Sequence, residues 1–257
     1  MINSVTKALN ILTELSNAED KPITIKTISE KLDINRSTCS HIVKTLEENG
    51  FAERVSHHDG YVLGPEAYYL SRFGKYAEQT ISICQPVMKW LYKKSGCPVI
   101  LATIKNEKKF IIESLDDEHT LFNKKLNIRY DDIYRTATGR VLLSRLNRCE
   151  IEAVYKKYLL PDKNIWPEVT SYEKLLSELE KISKMDVVSS SQFLHDIDAF
   201  SIGYGCPIFK KKDCLGALGV AVSVSREKYN DFNEEEKRIT KLLKTAANEI
   251  NRRINYV

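Results

Sequence analysis

Residues 35–64 change hydrophobic period within one short stretch, and this change limits the fold more than any other feature of the chain. From Asn35 to Gly50, Cys39, Ile42, Val43 and Leu46 recur at the i, i+3, i+4, i+7 spacing of a helix with one buried face. After Gly50, "FAERVSHHDGYVLG" alternates apolar and polar residues around Asp59-Gly60, the signal of a two-residue hairpin turn. Asn35 is the expected N-cap of the helix and Gly50 its stop. Two earlier segments complete the unit. Val5, Ala8, Leu9, Leu12 and Leu15 share one face of a first helix, and Thr24 caps a short second one bearing Ile25, Ile28 and Leu32. Three helices and a hairpin, with a tight "DIN" turn between the second and third helices, read as a winged helix-turn-helix. The second helix of such a motif lies in the major groove of DNA.

The polar face of the 35–50 helix carries Arg36, Ser37, Ser40, His41 and Lys44. Residues 1–64 hold 7 Lys and Arg against 9 Asp and Glu, so net charge does not favour a polyanion. Placement does, because no acidic residue lies between Asp33 and Glu47 and the face is locally positive. Arg36, Ser37 and Thr38 occupy the first turn, where free amides and hydroxyls suit a phosphate. Ser40, His41 and Lys44 are set for base edges, and Arg54, His57 and His58 on the hairpin for phosphate or the minor groove. The plain alternative is a solvated helix face and an exposed polar hairpin.

Beyond the hairpin, "PEAYYLSRFGKYAEQT" reads as a connecting helix, and the next helix, with Ile83, Val87, Trp90 and Leu91, belongs to a second core. The expected organisation is a DNA-binding domain over 1–64, a linker helix over 65–79 and a larger domain over 80–257. "PVILATI" and "KFIIESL" read as strands; "ATGRVLLSRL", "CEIEAVYKKYLL" and "SYEKLLSELEKIS" read as helices. "SIGYGCPIF" and "LGALGVAVSVS" read as antiparallel strands joined at "KKKDC", before a long amphipathic closing helix. The fold class is therefore α+β. "TATG" opens a helix whose first amides suit a carboxylate. Alternation in "VAVSVS" puts Ser223 and Ser225 on one side of a strand.

Other classes find little support. No GxSxG elbow, HExxH, P-loop or GxGxxG is present, so no enzyme is expected. The six cysteines form no CxxC pair, and His195, Cys206 and Cys214 match no zinc-ligand spacing, so reduced thiols and no metal or other cofactor are expected. Neither a signal peptide nor a membrane-spanning run is recognisable, and a cytoplasmic protein with no membrane partner is expected.

The chain resembles the IclR (isocitrate lyase regulator) family of bacterial transcription regulators over essentially its whole length. "KALNILTEL", "RSTCSHIVKTLEENGF", "YVLG", "TATGRVLLS", "GCPIF" and "GVAVSVS" carry the resemblance in this order and spacing. The resemblance implies a GAF/PAS-like effector-binding domain after the linker. It also implies double-stranded DNA with a palindromic operator as partner, assembly as a homodimer or homotetramer, and a small organic acid as effector. Repression is the family's commoner mode of action. Effector contacts map to Ala137 and Thr138 at the helix opening, to Ser223 and Ser225 on the strand, and to Gly203 at a position where many relatives carry a side chain. Asp196 is a further candidate in the preceding loop. His41 stands where many members have Arg and lacks that residue's bidentate fork, which implies a different operator. An effector-independent regulator whose large domain serves only oligomerisation is the alternative.

Overall fold

The apolar spacing of the first 50 residues is realised as α1 (Asn3–Ser16), α2 (Ile25–Leu32) and α3 (Arg36–Glu48) in a computed structural model. It describes residues 2–18, 21–56, 60–72, 77–116 and 133–256. Thr24 Oγ1 accepts from the Thr27 amide at 3.2 Å and Asn35 Oδ1 from the Ser37 amide at 2.9 Å, so α2 and α3 start at their side-chain caps. Ile11, Leu15, Ile28, Cys39 and Val43 form the shared core. The α1 stripe is only partly used. Ile11 and Leu15 are buried, whereas Val5 and Leu9 are 52% and 59% exposed.

The hairpin pairs β1 (Ala52–Ser56) with β2 (Gly60–Leu63), and Gly60 sits opposite Ser56. Gly60 is thus a strand residue, where the sequence predicted half of a two-residue turn. Its φ of +105° and the Ile23 carbonyl oxygen, 2.4 Å from where a Cβ would stand, explain the glycine by close approach instead. Tyr61 exchanges two backbone hydrogen bonds of 2.9 Å with Ile23 and so ties the wing to the entry of α2. Of the expected 65–79 linker helix, α4 covers Pro65–Arg72, and α5 (Glu78–Ser95) has already begun by Glu78. The chain divides into compact units at residues 1–76 and 77–257.

After α5, the second unit runs β3 (Val99–Lys105), β4 (Lys108–Leu115), α6 (Ala137–Leu143), α7 (Arg148–Tyr158) and α8 (Tyr172–Ser183). It ends with β5 (Val188–Leu194), β6 (Ala199–Lys210), β7 (Asp213–Ser225) and α9 (Asn233–Tyr256). The sheet order is β4-β3-β7-β6-β5, and every neighbouring pair is antiparallel. One core joins Met88 and Leu91 of α5 to Leu218 and Val220 of the sheet and to Leu243 and Ile250 of α9. A second joins Val141 and Leu142 of α6 to Ile151, Leu175 and Leu179, and meets the sheet at Ala102 and Ala217. Each fully buried Leu or Ile of these cores contributes about 1.5–3 kcal/mol. The sheet is therefore covered on both faces, as expected for this α+β class. Among the described residues, no helix is long and apolar enough to cross a membrane.

Candidate DNA interface and ligand cavity

Burial of Cys39, Val43 and Leu46 turns the other side of α3 outward. Arg36, Ser37, Ser40, His41 and Lys44 are exposed there, and Thr38 is half-buried at its edge. Lys44 Nζ stands 3.8 Å from Glu48 Oε1, a solvent-screened pair that leaves the ammonium accessible. On the wing, Arg54 is exposed, pairs in register with Tyr61, and holds its guanidinium 5.6 Å from the centre of that ring. Arg36 and Arg54 line one cleft of about 360 Å³ together with Thr24, Lys26 and Ser56. Among the described residues none of the lining side chains is acidic, so these residues concentrate positive charge beside the exposed face of α3. The sequence indicated Arg36 and Arg54 separately; the Ile23–Tyr61 bridge helps to bring them to one place. His57 and His58 lie outside the described residues.

In the second unit, a cavity of about 70 Å³ lies between the start of α6 and the sheet. Thr136 is the N-cap of α6. Its Oγ1 accepts from the Gly139 amide at 3.2 Å and from Lys109 Nζ at 2.8 Å. The first turn of α6 reaches the sheet because two glycines make room for it. A Cβ on Gly219 would stand 2.4 Å from Thr138 Cγ2, and one on Gly205 would stand 3.1 Å from the Thr138 amide nitrogen. Ala137, Thr138 and Gly203 all line the cavity.

Ser223 and Ser225 differ from these three residues in position, although Ser201, which pairs with Ser223, is in the lining. Ser223 and Ser225 are exposed and outside the lining, while Gly219 and Ala221 occupy the cavity stretch of β7. Alternation does set the four residues on one face of the strand. The cover supplied by the α6 opening, however, ends at Ala221. Asp196 lies in the 3₁₀ turn His195–Ile197 between β5 and β6.

Sequence reasoning missed the residues that give the cavity its charge. Lys109 on β4 is 1% exposed and lines the cavity, as does Arg135, which donates to Gln192 Oε1 of β5. Both make other interactions as well. A buried ammonium needs oxygen acceptors around it, and Thr136 is one of them. Ser190, Ser191 and Ser201 add hydroxyls to the wall. The chain carries no spacing signal for Lys109. In "KKFIIESL" it reads as the polar start of a strand. The seven-residue α6 has one of its first amides, that of Gly139, already taken up by Thr136.

Arg140 is a structural neighbour rather than part of the wall. It donates to the carbonyls of Tyr134 and Ile165 at 2.8 and 2.7 Å and lies 4.2 Å from the Trp166 ring centre. Burial pushes its pKa down to about 10, which leaves it a cation at neutral pH.

Comparison with known proteins agrees with both halves of this arrangement. Residues 4–56 match the IclR helix-turn-helix domain, and residues 77–252 match the C-terminal domain of the bacterial transcriptional regulator IclR. The HTH-type transcriptional regulator XynR of Escherichia coli K12 is 26% identical over 161 residues, a match that spans 62% of either chain. KdgR of the same strain is 22% identical over 99% of this chain and 94% of its own. An IclR homolog of Microbacterium hydrocarbonoxydans, solved in complex with 4-hydroxybenzoate, has the same fold. Its TM-score is 0.69 at 18% identity, covering 99% of this chain and all of that one. With a winged helix-turn-helix, a cavity-bearing antiparallel sheet and family matches over most of its length, the chain belongs to the IclR family of bacterial transcriptional regulators.

Proposed function

We propose that this regulator is a sequence-specific repressor whose operator affinity is changed by a small organic acid bound beside Lys109. The observation that carries the ligand reading is a cavity with two cations, Lys109 and Arg135, and several hydroxyls on its wall. That donor set suits a carboxylate, which accepts charge-assisted hydrogen bonds in two directions. The 4-hydroxybenzoate bound by the Microbacterium homolog supports an acid as the ligand class. The acid acts only if it prefers one of two DNA-binding states, since equal affinity for both would shift neither.

The exposed face of α3, with Ser40, His41 and Lys44 towards base edges and Arg36, Ser37, Thr38 and Arg54 towards phosphates, supports major-groove reading. Ile2, Val5 and Leu9, 52–71% exposed along α1, support assembly as a homodimer on a palindromic operator. A repressor of this kind works where the chromosome is, in the cytoplasm.

The test is fluorescence anisotropy on the duplex upstream of the protein's own gene, at several salt concentrations, with a random-site selection beside it. The wild type is expected to select a sequence and to lose affinity steeply with salt. His41→Ala with Lys44→Ala is expected to lose that selectivity, whereas Arg54→Ala is expected to weaken binding to all sequences alike and to lower the salt slope by about one unit. A wild type that enriches no sequence would overturn the reading. If it reads DNA but no acid raises its Tm, the effector-independent alternative holds instead.

A further inference from the structure

A second cleft, of about 260 Å³, opens where the end of α8, β6 and α9 meet, and it shares no lining residue with the Lys109 cavity. Arg145, just after α6, is half-buried in its wall. Its Nε is buried without a hydrogen-bond partner, and it forms no ion pair among the described residues. The Phe209 ring, 5.3 Å from the guanidinium carbon, supports the group but does not satisfy that N–H. Asn251, also in the lining, is fixed by accepting the Phe209 amide on Oδ1 at 2.8 Å, so its Nδ2 is left as a donor. Lys184 and Lys244 line the cleft too, with Asp186 as the only carboxylate among the described residues. Their surface pairs, Lys184 with Glu180 and Lys244 with Asp186, are solvent-exposed and easily exchanged. Three cations against one acid give the lining a surplus of two positive charges.

Buried N–H groups are nearly always satisfied, and where the protein offers no acceptor an ordered water or an ion can take its place. We propose that this cleft binds the phosphate group of a small phosphorylated metabolite, with Arg145 as its anchor. A phosphate dianion matches the surplus of charge. Its tetrahedral oxygens also accept from donors on several elements at once, in more directions than the single plane of a carboxylate allows. The regulator would then sense a second chemical class at a site separate from the acid cavity.

The experiment titrates full-length protein with inorganic phosphate, and separately with glycerol 3-phosphate, at ionic strength held constant with chloride. It reads Tm and the ³¹P linewidth. A saturable rise in Tm with line broadening is expected. If both probes act, the phosphate itself is recognised; if only the ester acts, the cleft needs its organic part. Arg145→Met is expected to weaken the response tenfold or more and Lys244→Met severalfold, while Arg135→Gln in the acid cavity leaves it intact. Lys244→Met, on an exposed position of α9, keeps the test decisive if Arg145→Met does not fold. The proposal fails if neither probe moves the wild type, or if both cleft variants respond as the wild type does. It fails equally if Arg135→Gln alone loses the response.

Discussion

At the scale of single residues, position in the chain and position in the cavity are different kinds of information. Lys109 is one of two adjacent lysines opening a strand, yet Lys108 is exposed and Lys109 is buried against Thr136. Replacing Lys109 with Met keeps the volume and removes the charge. Acid binding, read as the ligand-induced rise in Tm, is expected to weaken at least tenfold, about 1.4 kcal/mol. Two glycines make a sharper comparison. On Gly203 a Cβ would stand 3.3 Å from Ser190 Oγ, a contact a small side-chain shift relieves, so Gly203→Ala is expected to narrow the cavity while sparing the fold. Gly219→Ala drives a Cβ to within 2.4 Å of Thr138 and should cost about 1–3 kcal/mol of stability in urea unfolding.

Elements were legible where they carry local signals. The capped α2 and α3 form as their periodicity and N-caps predict, because those interactions are made within a few residues. β5 was not legible. Its "VSSSQFL" carries a serine run in place of apolar alternation, and it becomes a strand by pairing with β6, Ser190 opposite Gly203. Context of this kind overrides strand propensity at sheet edges. A cap also tests which element matters to the ligand. Thr136→Ala at α6 and Asn147→Ala at the capping box of α7 should each cost about 1 kcal/mol, measured by denaturant midpoint. Only Thr136→Ala is expected to reduce acid binding as well, since its hydroxyl also holds Lys109.

For the whole molecule, each of the two units has apolar core residues of its own. What α1 leaves uncovered is the feature that bears on assembly. Val5→Glu with Leu9→Glu changes exposed positions and should leave the melting profile of a monomer intact. For the homodimer proposed above, the expected outcome is its loss in sedimentation velocity, together with a large loss of operator affinity, because one recognition helix forfeits the effective concentration supplied by the other. A dimer unchanged by both substitutions would place the interface elsewhere.

What the sequence determined by itself is what short-range physics controls: the helix periods, the caps at Thr24 and Asn35, the polar stripe of α3 and the opening of α6 at "TATG". What only the tertiary structure decided is which distant residues share a wall. Strand order β4-β3-β7-β6-β5 brings Lys109, Thr136, Ser190 and Gly203 around one cavity, and it leaves Ser223 and Ser225 in solvent although they obey the same alternation as Ala221. The alternation of a strand specifies a face but not where its cover ends. A lysine's burial depends on acceptors contributed from elsewhere in the chain, so neither could be read from the residues' own neighbours.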